Sequence, residues 1–440
     1  MNILIVGNGF DLSHYLPTKY DHFMDVMRAI EEKNLGQPFL DVFRNSVDDF
    51  PTLLMKILEV KKALNGKNYE MSFDELFSKC REKWFIDQTK LIYKVDSIQL
   101  NFEKIIEIQY LLTSNGWYQY FKGHLKDIDT WIDFERQIEE FLMILAQCIS
   151  KIESVQNDHN ELTDLIEVIS PKYLKMLNFF GMFYETGGLH KVNNSYSAAN
   201  RSLNISRTFC YGKNSENEFN PSEFLKFTYT KLEEFIGIFN IYLELIVDKL
   251  DPKPQFKIQS QSWVQPDHIF SFNYTNSFQK FYTLTSTEFL HGRFGEKQNI
   301  VLGISDLEDG LLKKLKAYGF TKYHQKLFKD TDYLFLDSST KVFHEIKQGR
   351  TIIDKKPKFF NFYVWGHSLD ISDQEYVKDL FLFNEPKDQF VRITVFHFDN
   401  AAKFSLLNNL LAILGKDKVE QWMKNKWLTF EPNPEINFGV

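Results

Sequence analysis

MNILIVGNGFDLSHYLPTKYDHF, Met1 to Phe23, opens the chain and decides how the rest is read. Ile3 to Val6 is a short apolar run, β-branched at three of its four positions, which suits a strand buried in a parallel sheet. It stops at Gly7-Asn8-Gly9, and helix-compatible residues resume after Pro17 and Thr18. A strand, a glycine turn and a helix is how doubly wound α/β proteins present backbone N–H groups to a phosphate. Gly7 then permits the sharp turn, Gly9 lets the main chain approach an anion without a Cβ in the way, and Asn8 tolerates positive φ. Leu12 stands where the dinucleotide fingerprint has its third glycine, and Asp11 puts a carboxylate beside the turn. A plain tight turn after a first strand would have the same sequence.

That first strand needs a sheet to sit in, and the far end of the chain supplies one. Strand-like runs occur at His268 to Phe272, at Phe289-Leu290, at Ile300 to Ile304, at Phe359 to Trp365 and at Val391 to Phe398. Lys403 to Leu414 and Val419 to Trp427 read as helices between or after them. Between the two ends, Tyr20 to about Ser260 is mostly helical in pattern. Apolar residues fall at helical spacing in Thr52 to Leu64, Phe73 to Phe85, Leu91 to Leu112 and Trp131 to Ile152. Ser222 is the expected N-cap of a long helix running toward Leu250, and Lys191 to Asn220, rich in Asn and Ser, reads as a loop. The expectation is one α/β domain from residues 1–30 plus 261–440, with 31–260 as a large helical insertion.

Ligands in open α/β sheets bind beyond the carboxyl ends of strands. Four clusters stand at such places: Gly7-Asn8-Gly9, Asn273-Tyr274-Thr275, His291-Gly292 and Gly366-His367-Ser368-Leu369. Each also has a plainer explanation. Asn273 could cap a helix, His291 could be a hydrogen-bonded turn residue, and Ser368 or Asp370 could cap the helix carrying Tyr376 to Leu382. Trp131 to Glu135 places two carboxylates near an aromatic anchor, which could bring Glu135 near the site, though an exposed helix face is its expected setting. Asp306, Glu308 and Asp309 read first as a solvated loop and only second as a divalent-metal site, and no metal-ligand spacing is present among His14, His22, His344 and His397.

The four clusters together resemble the sirtuin fold, which opens with Gly-x-Gly and a proline ten residues after the first glycine, as in Gly7, Gly9 and Pro17. Asn273, His291-Gly292 and Gly366-x-Ser368-Leu369 match its later marks. GNGFDLSHYLPTKY, YVWGHSLDISD and Phe272-Asn273-Tyr274-Thr275 look like the AbiH family of bacterial abortive-infection proteins. The resemblance implies a sirtuin-like, Rossmann-like parallel sheet and an anti-phage effector that hydrolyses NAD to nicotinamide and ADP-ribose. Two departures from sirtuins argue against lysine deacylation: Thr275 replaces an acidic residue, and three cysteines cannot form the zinc module. By the same resemblance, the amides of Gly7, Asn8, Gly9 and Phe10 would hold the phosphates. Asn273 would orient the ribose or a water, and His291 would act as general base. Asp11 would stabilise the positive sugar, and Gly366, His367 and Ser368 would contact phosphate or a ribose hydroxyl. No further cofactor and no metal are required. The alternative is a nucleotide or ADP-ribose sensor without catalysis, and a nuclease effector stands third.

Composition bounds these expectations. Across 440 residues the net charge is −7, so no global basic field invites nucleic acid or an anionic membrane. The 43 phenylalanines suit aromatic packing between helices. Cys80, Cys148 and Cys210 are too few and too scattered for a disulfide framework, which fits a reducing cytoplasm. No apolar run is long enough to span a bilayer, and the first strand starts too early to leave room for a secretory signal. The expected partners are NAD or a related nucleotide and a phage or host protein read by the helical block, with self-association left open.

Overall fold

The computed structural model describes all residues except 36–49, 64–68, 124–130, 158–169, 187–188, 193–194, 199–201, 212–218, 261–262, 332–334, 336–341, 343, 345, 347–358, 386–387, 389 and 440. Its centre is the opening strand, β1 (Asn2–Val6), whose Ile3 to Val6 are at most 3% exposed. β1 pairs in parallel with β2 (His268–Ser271) on one side and β4 (Phe360–Trp365) on the other. β3 (Thr287–Phe289) extends the sheet beyond β2. β5 (Val391–His397) and β6 (Leu428–Pro432) extend it beyond β4. The order is β3-β2-β1-β4-β5-β6, all parallel. Both faces are therefore covered, as a parallel sheet requires.

Alternation along the strands separates the two faces. Ile3, Ile5, Phe362 and Val364 pack with Tyr376, Leu380, Leu410 and Trp422, which come from α8 (Gln374–Leu382), α9 (Asn400–Leu414) and α10 (Lys416–Lys424). Leu4, Val6, Trp365 and Phe396 pack on the other side with Phe10 and Phe278. After β1 the chain forms α1 (Asn8–Ser13) and leaves the sheet, returning at His268. In between, α2 (Tyr20–Glu31), α3 (Phe102–Ser114), α4 (Gly116–Gly123), α5 (Trp131–Asn157) and α6 (Pro221–Tyr242) share an aromatic-rich core of their own. In it Phe134 stacks on Phe235 at 5.3 Å, and Phe23 meets Phe239 edge-on at 5.1 Å. The phenylalanine excess is packing between these helices.

Several expectations about local structure are corrected. The glycine turn is itself the first turn of α1. Phe73 to Phe85 is a one-turn helix, Phe73–Leu76, closed by a Ser72–Glu75 capping box, followed by a second helix from Lys83. Leu91 to Leu112 is not one helix: Leu91 and Ile92 end the helix from Lys83, two short strands follow, and a new helix starts at Phe102, where Asn101 accepts from the Lys104 amide. The cap of α6 is Asn220, not Ser222, because Pro221 takes the first helical position. The described part of Lys191 to Asn220 holds short strands and a single 3-10 turn rather than open loop. Ile300 to Ile304 is buried but joins no sheet. The Gln325 amide accepts from the Leu302 N–H and donates to its carbonyl, both at 2.9 Å, replacing a neighbouring strand. Val419 to Trp427 is helical only to Lys424, since Lys426 turns left-handed into β6. Among the described residues no helix is long and apolar enough to cross a membrane.

Candidate functional site

From β1 the chain crosses toward β2 and β3, and from β4 toward β5 and β6, so the sheet's order reverses between β1 and β4. Open α/β sheets carry their ligand crevice at such a point, outside the carboxyl ends of the strands. A cavity of about 290 Å³ lies there. Gly7, Asn8, Gly9, Asp11, Asn273, His291, Gly366, His367 and Ser368 all line it, so the two chain ends do meet in one cleft. Phe10 does not line it. Its ring is buried edge-on to Trp365 at 5.0 Å.

The glycines serve a different purpose from a phosphate cradle. The Gly7 amide donates to Trp365 O at 3.0 Å, the Gly9 amide to Gly366 O at 2.8 Å, and the Phe10 amide to Gly7 O at 2.8 Å. Three of the four amides expected to meet phosphate are thus spent within the protein. Gly7 is extended, at φ −126, a backbone any residue adopts. What excludes a side chain is proximity: a Cβ on Gly7 would stand 2.5 Å from the His367 Cα, and one on Gly9 would stand 2.7 Å from the Gly366 Cα. The two turns are interlocked backbone to backbone.

Asp11 lies beneath this junction, 1% exposed. Its carboxylate accepts from Thr275 Oγ1 at 2.5 Å and from Ser277 Oγ. A carboxylate therefore does stand beside Thr275, delivered by the opposite chain end. Burial pushes the Asp11 pKa up to about 6, against the pull of Ser277, Thr275 and Asn273. The folded state then holds a proton that the unfolded chain releases near pH 4. Between about pH 4 and about pH 6 this group's contribution to stability falls as the pH rises. The stability lead of the native chain over Asp11→Asn should shrink across that window by up to roughly 3 kcal/mol and stay level above it. Urea unfolding at a series of pH values checks this, and a lead that stays constant would refute it.

Asn273 follows β2 and is 5% exposed. It does not cap a helix, because the next one starts at Ser277 with Asn276 before it. Its backbone N–H donates to Ser271 Oγ, which donates back to the Asn273 carbonyl. The Asn273 side chain eases the Asp11 ionisation from nearby, yet its Nδ2 is buried without a hydrogen bond of regular geometry. His291 follows β3 and is 6% exposed, its turn completed by Gly292 at φ +76. Its Nε2 lies 3.2 Å from Asp373 Oδ1. Burial lowers its pKa to about 3 despite the Asp373 charge, so the ring is neutral at physiological pH. Ser368 caps nothing, its carbonyl accepting from Asn409 Nδ2. Asp370 instead caps the 3-10 turn Ile371–Asp373 through the Ser372 amide.

A family model described as bacteriophage abortive infection AbiH matches residues 3–397. The chain belongs to the AbiH family. The matched span runs from β1 to the last residue of β5 and so encloses every residue of the cleft. No curated protein and no solved structure matches the chain. The family gives this protein a role in phage abortive infection.

The AbiH cleft also contains a cluster of charged residues around Lys322, which carried no sequence signal. Lys322, on α7 (Lys322–Phe328), is 4% exposed and lies 3.2 Å from Asp373 Oδ1 and 2.9 Å from Glu135 Oε2. Glu135 comes from α5, so its carboxylate reaches the site from the helical core rather than facing solvent. Burial raises the Glu135 pKa to about 7, with Lys322 opposing. For Lys322 burial acts downward, and the two carboxylates outweigh it and hold the ammonium charged. Asp373 resists burial in the same way: Lys322, His291 and His367 keep it well below the usual carboxylate range. Asp306 and Asp309 are taken up by the amides of Leu307 and Leu312. Among the described residues no three His, Cys, Asp or Glu side chains are placed to share a metal ion.

Proposed function

We propose that the AbiH cleft binds NAD and hydrolyses its N-glycosidic bond, releasing nicotinamide and ADP-ribose, so that activation by phage drains the cell of the cofactor. The observation that carries this reading is the Asn273 amide, buried on the cavity wall beside the Asp11 carboxylate whose ionisation it eases, and held there without a hydrogen bond of regular geometry. A ligand oxygen in the cavity would give this amide the well-aligned acceptor it lacks, a gain of up to about 1–3 kcal/mol. The sirtuin-like order of the glycine turn, Asn273, His291-Gly292 and Gly366 to Leu369 supports NAD as that ligand. In this scheme residues 1–30 and 261–440 form the nucleotide-binding domain, and 31–260 recognise the trigger.

The bond from the ribose carbon to nicotinamide breaks first, and its electron pair leaves with the neutral nicotinamide. The sugar is left cationic, and Asp11, ionised above about pH 6, faces that charge. Asn273 holds a ribose hydroxyl or the incoming water. As the water bonds to the sugar carbon it becomes acidic, and neutral His291 accepts its proton and passes it to solvent. A weak base suffices when the electrophile is already a cation. Because three of the glycine-turn amides are spent, Asn8 and Ser368 remain to meet the diphosphate, with Lys19 on the cavity wall already paired with Glu82. Binding without cleavage is a second reading, favoured by the low basicity of His291.

Purified protein incubated with NAD and followed for nicotinamide should release it. Asn273→Ala and His291→Ala should each slow release by about a hundred-fold or more without lowering the melting temperature. Binding of NAD with no release would select the second reading. Unchanged turnover in both variants would remove these residues from the chemistry.

A further inference from the structure

Asp373 touches three cationic or donating groups at once. Its Oδ1 lies 3.2 Å from both His291 Nε2 and Lys322 Nζ, and its Oδ2 lies 3.4 Å from His367 Nε2. On the other side of the His367 ring the backbone N–H of Leu369 donates to Nδ1 at 2.9 Å. A neutral imidazole has one donor and one acceptor nitrogen. Nδ1 of His367 is the acceptor, so its proton is on Nε2, facing the carboxylate. The same carboxylate lies 3.2 Å from His291 Nε2, close though out of line for a regular hydrogen bond, and an ionised carboxylate only accepts. The His291 proton is therefore drawn to Nε2 as well, which leaves the lone pair on Nδ1. Lys322 balances the charge, and Glu135 on α5 holds Lys322 from the opposite side at 2.9 Å.

We propose that Asp373 is a positioning residue that fixes both cleft imidazoles as Nε2–H tautomers and makes Nδ1 the basic atom of His291. Through Lys322 and Glu135 the same carboxylate is tied to the helices that leave the sheet after β1. The use of Nδ1 as a proton acceptor in turnover rests on the NAD hydrolysis proposed above; the tautomers do not.

The test is nitrogen NMR of the full chain labelled at histidine, with the two resonance pairs assigned by their loss in His291→Gln and His367→Gln. Both rings are expected to show a protonated Nε2 and an unprotonated Nδ1. Asp373→Asn should abolish this preference at His291, and Asp373→Asn with Lys322→Met should do so with the buried charge kept in balance. Nicotinamide release should fall by about a hundred-fold or more in the double variant. An Nδ1–H tautomer of His291 in the native chain, or an unchanged preference in the double variant, would overturn the proposal. Native tautomers as expected in a chain that releases no nicotinamide would uphold Asp373 as the positioning residue and reject NAD hydrolysis.

Discussion

Gly366→Ala should destabilise the protein by about 2–5 kcal/mol, a large fraction of the roughly 5–15 kcal/mol that holds a folded domain. Two costs add. The residue sits at φ +74, where an L side chain strains the backbone by roughly 1–2 kcal/mol. The new Cβ would also lie 2.0 Å from the Phe10 nitrogen and 2.3 Å from the Gly9 carbonyl carbon. Both are main-chain atoms, so no rotamer change relieves the overlap, and overpacking of this kind costs roughly 1–3 kcal/mol. Gly415 provides the control. Its φ of +79 and ψ of 162 are a backbone found almost only at glycine, but a Cβ there would meet nothing within 4 Å, so Gly415→Ala should cost only a backbone term, of about 1–3 kcal/mol. Urea unfolding of the two variants separates clash from strain. Equal losses would mean that the turns after β1 and β4 are not interlocked.

Lys322→Met should be comparably damaging, by about 3–5 kcal/mol, the usual cost of removing one partner from a buried ion pair. Glu135 and Asp373 would then face each other in the cleft without a counter-charge. The loss should depend on pH in a definite direction. With the ammonium gone, both carboxylates acquire folded pKa values above their unfolded values near 4. The folded variant then binds more protons than the unfolded chain, so its stability declines as pH rises from about 4. The deficit relative to the native chain is smallest in acid and largest at neutral pH. Adding Glu135→Gln should recover part of it at neutral pH, because one of the two stranded charges is removed. A deficit independent of pH would mean that Lys322 contributes packing and not charge.

The sheet was legible in the sequence because its strands are buried on both faces and so read as plain apolar runs. The runs at Ile3, His268, Phe359 and Val391 all became strands, and the polar clusters after β1, β2, β3 and β4 all reached the cleft. Ile300 to Ile304 has the same composition and failed, because scattered partners rather than one strand satisfy its backbone: Gln325 at Leu302, the His291 carbonyl at Val301, and Phe320 and Lys322 at Ile304. Sequence pattern does not distinguish those two ways of burying a peptide group. The glycines were located correctly and explained differently: what approaches Gly7 and Gly9 is another turn of the same chain. Asp373 lies inside the YVWGHSLDISD stretch, and Glu135 was noted for its aromatic neighbours. Lys322 and Lys326, four apart on α7, would pattern as a solvated helix face, yet both are buried. The Lys322 charge is tolerated inside only because its partners arrive from distant segments, Glu135 from α5 and Asp373 from the turn before α8. Long-range charge pairing of this kind leaves no periodicity to read.

The role in abortive infection and the chemistry proposed for the cleft converge on one quantity, the NAD content of infected cells. It should be followed after phage addition in cells expressing the native chain, the Asn273→Ala variant, or neither. The account predicts that NAD collapses with the native chain, before lysis, and holds at the control level with Asn273→Ala at equal protein abundance. Protection against phage with cellular NAD unchanged, or NAD loss that persists in the Asn273→Ala cells, would contradict it.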